Sequence, residues 1–498
     1  MIGRRKEIAE LNKLCQDKES RLAVIYGRRR IGKTYLVDYM FREKKKDCLF
    51  FEFTGSENQD TVDQRANFIE AIYDWFKAEP TKEIKSWTDA FIFLKRTINQ
   101  EIENRQHKGK IVIFLDEISW IDKQNRAKFL SAFGHFYNTY CKKSKQFLVI
   151  LCGSNASWIK NRILKDGKGS LYQRVDREIP MFPFTLEETK KYLLEEKGFD
   201  IDNKSIIEIY MILGGVAKYL DLLDSTLSIS KNIDRLFFNL HATLYNEYDT
   251  MFKSLFYTKN MYHKEIMGHL CNRQSGYTIM ELSKLINLNN LDSTDRVLRN
   301  SVEELIDTGF IKPINKLFNK SKEVKMIVSD PFSLFYNKWV SVLSKNDIAL
   351  LSNHYSNSVN TPKYATWSGY AFESVSIINI ESYLKIRELG GVYKSVRYWK
   401  HIAKNDDEQG AQIDMLVEYE NNLYDIVECK FLNKEFIIDK EEAEKIENRV
   451  EMFKKYGIKT KGKYDIKLIL LTSYGAKINR YYNALNIADS ITVDDLLR

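Results

Sequence analysis

Short, uninterrupted apolar runs mark the first third of the chain. They cover residues 21–26, 111–115 and 147–152, and none shows the strict alternation of polar and apolar positions that a half-exposed strand would have. Runs of this kind are typical of parallel strands that are buried on both faces of a sheet. Each run is also far shorter than the roughly 18 residues that a membrane helix needs. The pattern predicts an α/β domain with a buried parallel sheet, and no membrane-spanning segment.

The middle of the chain has a helical pattern. Apolar residues recur at helical spacing from about residue 190 to 259, which predicts a helical lid and a connector. Thr278 and Glu281 then have the spacing of a capping box that opens a short helix. A second amphipathic helix is expected from about residue 293 to 308, and residues 310–314 begin a hairpin. This order of elements is typical of a winged-helix domain.

The second helix of this winged-helix candidate carries polar residues on its predicted exposed face, namely Arg296, Arg299 and Asn300. In a winged helix these positions could contact bases or phosphates. Acidic residues on the same helix weigh against strong DNA contact, and winged helices also serve as packing and protein-contact modules. The sequence leaves both roles open.

Length and composition set the class of protein. At 498 residues the chain is longer than one ordinary domain, and its 44% hydrophobic and 29% charged residues exclude a disordered or fibrous protein. The N-terminus has no apolar signal segment, and the six cysteines have neither disulfide-like nor zinc-like spacing. Both features predict a cytoplasmic protein with reduced thiols. The net charge of +9 permits a polyanionic partner without requiring one.

The first apolar run leads into a phosphate-binding motif. Residues 27–34 have the pattern G-x-x-x-x-G-K-T between a predicted strand and a predicted helix. Glycines let the backbone curl so that its N–H groups face phosphate oxygens, Lys33 reaches the β- and γ-phosphates, and the Thr34 hydroxyl binds Mg²⁺. The arginines are either solvated surface charge or contacts to phosphate or a partner. The candidate nucleotide-binding residues of this loop are Gly27, Arg28, Arg29, Arg30, Ile31, Gly32, Lys33 and Thr34.

Two carboxylates follow the second apolar run. Asp116 is predicted to hold Mg²⁺ through its water shell, and Glu117 to be the base that orients or deprotonates the attacking water. The pair therefore predicts hydrolysis rather than binding alone. After the third run, Ser154 and Asn155 are placed to sense a γ-phosphate or the attacking water, or else they form an ordinary polar exit from the strand.

Four segments together resemble the archaeal-type AAA+/STAND-like ATPase family. They are residues 2–11, the loop at 27–34, Leu-Asp-Glu at 115–117 and Cys-Gly-Ser-Asn at 152–155. The resemblance implies that the nucleotide is ATP and that the cofactor is Mg²⁺.

The same resemblance assigns further residues. It implies that Gly3 and Arg4 pack near the adenine. Residues 171–174 are similar to another segment of the family, which implies that Arg174 could complete the site of a neighbouring subunit as an arginine finger. A homo-oligomer is therefore one expected assembly.

The C-terminal third holds a second group of chemical residues. Two alternating strands joined by a turn at residues 421–422 bring Asp414 beside Glu428 and Lys430, because residues two apart in a strand share one face. Two carboxylates with a lysine can hold a divalent metal, activate a water and offset charge on a phosphate. The alternative is a hairpin with a charged solvent face.

With Glu373 on a preceding helix, this group has the D…(D/E)-x-K pattern of restriction-endonuclease-like nucleases. An acidic helix at about 440–455 and a final strand at 467–473 follow in the order of that fold, and the region resembles the C-terminal domain attached to many archaeal-type ATPases. The resemblance implies that Glu373, Asp414 and Glu428 are metal ligands and that Asp414, Glu428 and Lys430 are catalytic.

The sequence thus predicts an ATPase coupled to a nuclease-like domain that binds nucleic acid, with DNA favoured, and it leaves open whether this domain also cleaves the nucleic acid with a divalent metal. The alternative is an ATP-dependent signalling or scaffold protein whose nuclease-like domain is inactive and binds a protein. The predicted domains are a P-loop ATPase core at 1–185, a helical lid and connector at 186–260, a winged helix at 261–330 and a restriction-endonuclease-like domain at 331–498.

Overall fold

The computed structural model of the chain describes residues 1–45, 47–122, 128–239, 241–256, 262–286, 291–317, 324–350, 353–403, 408–459 and 462–498. They fall into two compact units, the N-terminal unit at 1–182 and the C-terminal unit at 183–498. In these ranges no helix combines the length and the apolar character that crossing a membrane requires. The cytoplasmic location stays a prediction.

A parallel sheet forms the centre of the N-terminal unit. Its strands are β1 (Arg21–Tyr26), β2 (Leu49–Thr54), β3 (Ile111–Asp116), β4 (Phe147–Gly153) and β5 (Arg177–Pro180). They lie side by side in the order β2, β3, β4, β1, β5. Strands β3 and β4 are buried at every position, as the apolar runs predict.

Helices pack on this sheet and carry its aromatic core. Phe68, Trp87, Phe91 and Phe129 pack edge to face or tilted against one another with ring centroids 4.8–5.6 Å apart. The α-helices are α1 (Arg5–Gln16), α2 (Lys33–Asp38), α3 (Thr61–Phe76), α4 (Trp87–Arg105), α5 (Ile118–Ile121), α6 (Phe129–Phe136), α7 (Lys142–Ser144) and α8 (Ala156–Ile159). The π-helical segments are Tyr39–Lys44, Tyr137–Cys141 and Lys160–Leu164.

The strand register fixes where the loops of this unit meet. In the β1–β4 pair, Tyr26 lies opposite Gly153, so the loop after β1 leaves the sheet beside Ser154. In the β3–β4 pair, Leu115 lies opposite Leu151, which places Asp116 at the same edge. Since the strands are parallel, these loops gather at one carboxyl edge, where ligands of open α/β sheets bind.

The C-terminal unit begins with helices. They are α9 (Leu186–Lys191), α10 (Asn203–Leu213), α11 (Ala217–Asp221), α12 (Ile229–Phe237), α13 (Glu247–Leu255), α14 (Tyr262–Cys271), α15 (Ile279–Leu285) and α16 (Leu291–Asp307), with a π-helical segment at Tyr192–Glu196. Residues 240 and 257–260 of the predicted lid and connector, and residues 261, 287–290 and 318–323 of the predicted winged helix, lie outside the described residues. The helical pattern of the middle region is present in the structure.

Later helices of this unit flank its sheet. They are α17 (Pro331–Phe335), α18 (Lys345–Leu350), α19 (His354–Ser358), α20 (Pro362–Ile378), α21 (Ile380–Arg387), α22 (Lys440–Met452), α23 (Arg480–Ala484) and α24 (Val493–Leu496). Further π-helical segments are Tyr336–Val340 and Phe453–Gly457, and 3₁₀ turns lie at Gly390–Val392 and Glu420–Asn422.

Seven described strands of this unit form one mixed sheet, in the order β14, β13, β12, β11, β8, β6, β7. Its strands are β6 (Ile311–Lys316), β7 (Val324–Val328), β8 (Tyr393–Tyr398), β11 (Met415–Tyr419), β12 (Leu423–Lys430), β13 (Asp465–Thr472) and β14 (Asp489–Thr492), while β9 (Lys400–His401) and β10 (Ala411–Gln412) pair separately. The β6–β7 hairpin joins the sheet because β6 pairs in parallel with β8. One sheet therefore crosses residue 330, where the sequence predicts a domain boundary.

Candidate functional site

The loop after β1 encloses the ammonium group of Lys33. Gly27 and Gly32 have φ angles of +154° and +90°, in the region that favours glycine. Lys33 is only 6% exposed. Its Nζ donates hydrogen bonds to the carbonyl oxygens of Gly27 (2.9 Å) and Arg28 (3.0 Å) and to Ser154 Oγ (2.9 Å). The loop thus holds a buried cation at the start of α2.

Thr34 and Asp116 meet at the edge of the sheet. The Thr34 hydroxyl donates a hydrogen bond of 2.6 Å to Asp116 Oδ2, and the backbone N–H of Glu117 donates to Asp116 Oδ1 over 2.8 Å. Asp116 is 3% exposed. A hydroxyl and a carboxylate in contact are hard oxygen donors of the kind that Mg²⁺ prefers, so these residues fit the metal of a nucleotide site.

Ser154 links Lys33 to Glu117. Besides accepting from Lys33, Ser154 donates from its hydroxyl to Glu117 Oε1 (2.5 Å) and from its backbone N–H to Glu117 Oε2 (3.1 Å). The carboxylate of Glu117 is held at both oxygens by one residue. Asn155 accepts a hydrogen bond from the backbone N–H of Trp158 and so begins α8. Ser154 therefore contacts the two charged groups directly, whereas Asn155 caps a helix.

Arg4 connects the start of the chain to the loop. It is 3% exposed, and its guanidinium donates to the carbonyl oxygens of Ile31 (2.8 Å) and Phe182 (2.6 Å). Gly3 precedes it with a φ of +66°. Gly3 and Arg4 thus lie beside the loop, while their role near an adenine stays a prediction.

The other predicted arginines differ in their surroundings. Arg28 is buried, Arg29 lies with its guanidinium carbon 5.3 Å from the centroid of the Trp120 ring, and Arg30 is exposed with a φ of +70°. Arg174 is exposed in a turn closed by its own N–H and the carbonyl of Leu171. Exposure is what a residue that acts on a neighbouring subunit needs, but its finger role stays a prediction.

The residues of the second predicted site come together in the C-terminal unit. Asp414 Oδ2 accepts a hydrogen bond of 3.1 Å from the backbone N–H of Cys429, which places it beside Glu428. Glu428 is 2% exposed, and Lys430 Nζ lies 3.1 Å from its Oε1. Glu373 lies on α20. The hairpin therefore brings Asp414, Glu428 and Lys430 together as the alternation predicts.

Burial and neighbouring carboxylates raise the pKa of two acidic residues of this site, Asp414 and Glu373. Burial, followed by repulsion from Glu428, raises the pKa of Asp414 to about 7. Burial, followed by repulsion from Asp414 and Glu428, raises the pKa of Glu373 well above its usual range. Charged neighbours and low exposure are typical of functional sites, although structural clusters produce them too.

Sequence reasoning missed two residues of this site, both on α22. Arg449 forms an ion pair with Glu428 Oε2, and Glu442 Oε1 lies 2.6 Å from Lys430 Nζ. The sequence did contain a signal for them, because Glu442 and Arg449 are seven positions apart and therefore lie on the same face of the helix. Among the described residues, no group of three or more His, Cys, Asp or Glu side chains is arranged to hold a metal as the chain stands. Instead, Arg449 contacts Glu428, which the sequence predicts to be a metal ligand.

The winged-helix candidate has the expected order of elements. Thr278 and Glu281 form the capping box at the start of α15, and Tyr277 bridges to Met326 on β7. The predicted contact residues of α16 are all exposed: Arg296, Arg299 and Asn300. Their DNA contact stays a prediction.

Comparison with protein families reports a match in the N-terminal part of the chain. Residues 1–223 match the model of an ATPase domain found predominantly in Archaea. The match covers the loop at 27–34, the Asp116–Glu117 pair and Ser154. It supports the ATPase part of the prediction, and it ends before the winged-helix and nuclease-like segments, which stay predictions.

Among individual proteins, the chain is similar to the uncharacterized protein MJECL04 of Methanocaldococcus jannaschii. The two are 23% identical over 424 residues, which cover 84% of this chain and 85% of the relative. Because this relative has no assigned function, the similarity does not indicate an activity for the chain.

Solved structures also resemble the chain at low similarity. A Walker-type ATPase of Pyrococcus abyssi has a TM-score of 0.48 with 14% identity, covering 68% of this chain and 96% of that one. The ORC2 protein of Aeropyrum pernix, in its ADPNP–ADP complexes, has a TM-score of 0.42 with 12% identity, covering 69% and 93%. At these scores neither similarity bears on function.

Proposed function

We propose that the chain binds and hydrolyses ATP with Mg²⁺ in its N-terminal unit, and that its C-terminal segment binds nucleic acid and cleaves it with a divalent metal. The line of contacts from Lys33 through Ser154 to Glu117 carries the first part of this proposal. The Ser154 hydroxyl contacts the buried ammonium group of Lys33 on one side and the carboxylate of Glu117 on the other. The ammonium group can offset the charge of a phosphate, and the carboxylate can accept a proton from water.

Each side chain of this line has a distinct task. Lys33 exchanges the carbonyl oxygens of the loop for phosphate oxygens, since a cation binds an anion more strongly than a neutral carbonyl. Thr34 and Asp116 would hold Mg²⁺, which neutralises charge on the phosphates when it is bound. Glu117 accepts the proton of the attacking water once its oxygens are released from Ser154.

Two variants test the ATPase proposal. Lys33→Ala should abolish tight Mg-ATP binding, measured by titration calorimetry. Glu117→Gln should bind Mg-ATP but release no phosphate. The matched controls are Lys108→Ala and Glu103→Gln, which replace the same residue types at exposed positions of the same unit. Normal turnover in both test variants would refute this site.

The nuclease part is supported by Asp414, Glu428 and Lys430 lying together, and by burial and the charges of Asp414 and Glu428, which raise the pKa of Glu373. The purified chain should degrade a labelled oligonucleotide in Mg²⁺ or Mn²⁺, and Asp414→Ala should stop the reaction. Glu420→Ala, at an exposed carboxylate of the same hairpin, is the control. Cleavage that persists in Asp414→Ala would place the activity elsewhere.

Partners form a further part of the proposal. Arg296, Arg299 and Asn300 are exposed on α16, which supports DNA as the partner of the winged-helix candidate. Exposure of Arg174 supports a homo-oligomer in which this arginine completes a neighbouring site. If so, adding ATPase-inactive Glu117→Gln to Arg174→Ala should restore turnover, and no restoration would remove the finger role.

One observation favours a second candidate function. Glu428 is already neutralised by Arg449 and Lys430, as a silent nuclease-like fold would require. The chain would then be an ATP-dependent scaffold whose C-terminal segment binds a protein. Absence of cleavage under Mg²⁺ and Mn²⁺, together with capture of a protein that salt does not release, would favour it.

A further inference from the structure

A cavity opens beside Glu373 and Asp414 in the C-terminal unit. Counted out to its open mouth, and so including open solvent, it has a volume of about 630 Å³. Its lining comes from two stretches of the chain, residues 270–334 and residues 370–414. The winged-helix candidate therefore forms one side of the cavity, and the nuclease-like segment forms the side with the carboxylates.

One hydrogen bond joins the two sides, and a close backbone approach fixes the loop that makes it. The N–H of Gln274 donates a hydrogen bond to the hydroxyl of Tyr370, one turn before Glu373 on α20. Gly276, two residues on, has a φ of +64°, and a Cβ there would lie 2.2 Å from the carbonyl oxygen of Met326. The loop before α15 is thus fixed against β7, and it keeps the side chains of Gln274 and Ser275 at the cavity.

The lining has the chemistry that a nucleobase needs. Leu270, Ile327 and Ile377 give apolar surface, and Tyr370 and Tyr398 give aromatic rings. Apolar and aromatic side chains contact the flat faces of a base. A further pair of lining side chains, Gln274 and Gln412, carries amide donors and acceptors that can read the edge of a base.

A base inside a duplex cannot enter such a cavity, because its faces are stacked and its pairing edge is occupied. We propose that the cavity holds one unpaired nucleobase, so that the nuclease-like site acts on single-stranded nucleic acid. The inference rests on the proposed nucleic-acid function and names its substrate class. It also gives the winged-helix candidate a task in substrate selection at the carboxylates Glu373 and Asp414.

The test compares two forms of one oligonucleotide. The full chain is titrated, in EDTA so that nothing is cleaved, into a fluorescein-labelled 20-nucleotide single strand and into the blunt duplex of the same sequence. Fluorescence anisotropy should show that the single strand binds about fivefold more tightly or better, the effect of stacking one base. Gln412→Ala and Ser275→Tyr, the second of which fills the cavity, should remove the preference and leave duplex binding unchanged.

Controls separate the possible results. Gln100→Ala, at an exposed glutamine of α4, should keep the preference. Circular dichroism checks that both cavity variants are folded. If Ser275→Tyr does not fold, Gln412→Ala alone tests the inference. Equal binding of both forms, or a preference that survives Gln412→Ala, would overturn the inference while leaving the nucleic-acid function in place. Failure to bind either form would overturn both.

Discussion

Gly27 has no room for a side chain, which makes it the most restrictive residue of the nucleotide loop. With φ at +154°, a Cβ at this position would lie 2.2 Å from the carbonyl oxygen of Met181. Gly27→Ala should therefore lower the free energy of unfolding by about 2–3 kcal/mol and weaken Mg-ATP binding. Gly167→Ala, where a Cβ would meet nothing within 4 Å, should change neither quantity in urea denaturation and calorimetry. Equal effects in the two variants would contradict the steric argument.

Asp122 makes the stability of the N-terminal unit depend on pH. It is 1% exposed, and burial raises its pKa from 3.8 to about 6, against opposing effects of Arg162 and the N–H of Phe129. Between these two values the folded state keeps a proton that the unfolded state has lost, so stability falls as pH rises from about 4 to 6. The difference is worth about 3 kcal/mol.

The variant Asp122→Asn should remove this fall of stability with rising pH, and it should raise the unfolding temperature at pH 8, because an amide has no charge to bury. The slope of the unfolding temperature against pH is measured by thermal unfolding at several pH values. Asp74→Asn, the same replacement on an exposed position of α3, should leave the slope in place. A slope that persists unchanged in Asp122→Asn would assign the pH dependence to another group.

At the scale of elements, local patterns predict the strands and the candidate nucleotide-binding residues, but not the contacts that these residues make with one another. Strands β3 and β4 follow from uninterrupted apolar runs, and Lys33, Thr34, Asp116 and Glu117 follow from short motifs at strand ends. The hydrogen bonds from Ser154 to both oxygens of Glu117 depend on side-chain orientation across two strands, which no local pattern encodes.

Helix α22 shows the same limit in the C-terminal unit. The sequence predicts this helix and its acidic character, but its contact with the sheet is set by packing between distant segments. The pairing of β6 with β8 is likewise carried by two residue pairs, Asn315 with Arg397 and Lys316 with Tyr398. Such long-range pairings leave no periodic signal, which is why the sequence divided this unit at residue 330.

The ion pair that α22 brings to β12 leads to a prediction about metal. Arg449 neutralises Glu428, which is 2% exposed, so Arg449→Gln should destabilise the chain by about 3 kcal/mol. Mn²⁺ should then restore stability more in this variant than in the unchanged chain, since the ion no longer competes with a guanidinium. Differential scanning fluorimetry with and without Mn²⁺ measures both effects.

Lys445→Gln is the matched control, because Lys445 lies on the same helix and pairs with Glu441 at the surface. It should leave the unfolding temperature and the response to Mn²⁺ as they are. If Arg449→Gln loses stability but Mn²⁺ restores none of it, then Glu428 is not a metal ligand, and the scaffold alternative gains support.

At the scale of the whole molecule, the described residues form two compact units, and the four predicted domains stay a prediction. The family match reaches residue 223 and so continues past the end of the N-terminal unit at residue 182. The predicted lid at 186–260 lies within the C-terminal unit, which also holds Glu373, Asp414, Glu428 and Lys430. Sequence similarity and compactness thus divide the chain at different points.

The salt dependence of binding distinguishes the two proposed kinds of partner. With 77 Lys and Arg against 68 Asp and Glu, the net charge of +9 permits nucleic acid to bind through its phosphates without requiring it. If about three phosphates are contacted, the Kd for a single strand should rise about 20-fold between about 50 and 200 mM salt, because counterions are released on binding. Anisotropy titrations measure this slope. An oligonucleotide with an uncharged backbone and the same bases is the control, and it should bind weakly without salt dependence. A Kd that does not change with salt would contradict phosphate contact and favour the protein-binding scaffold.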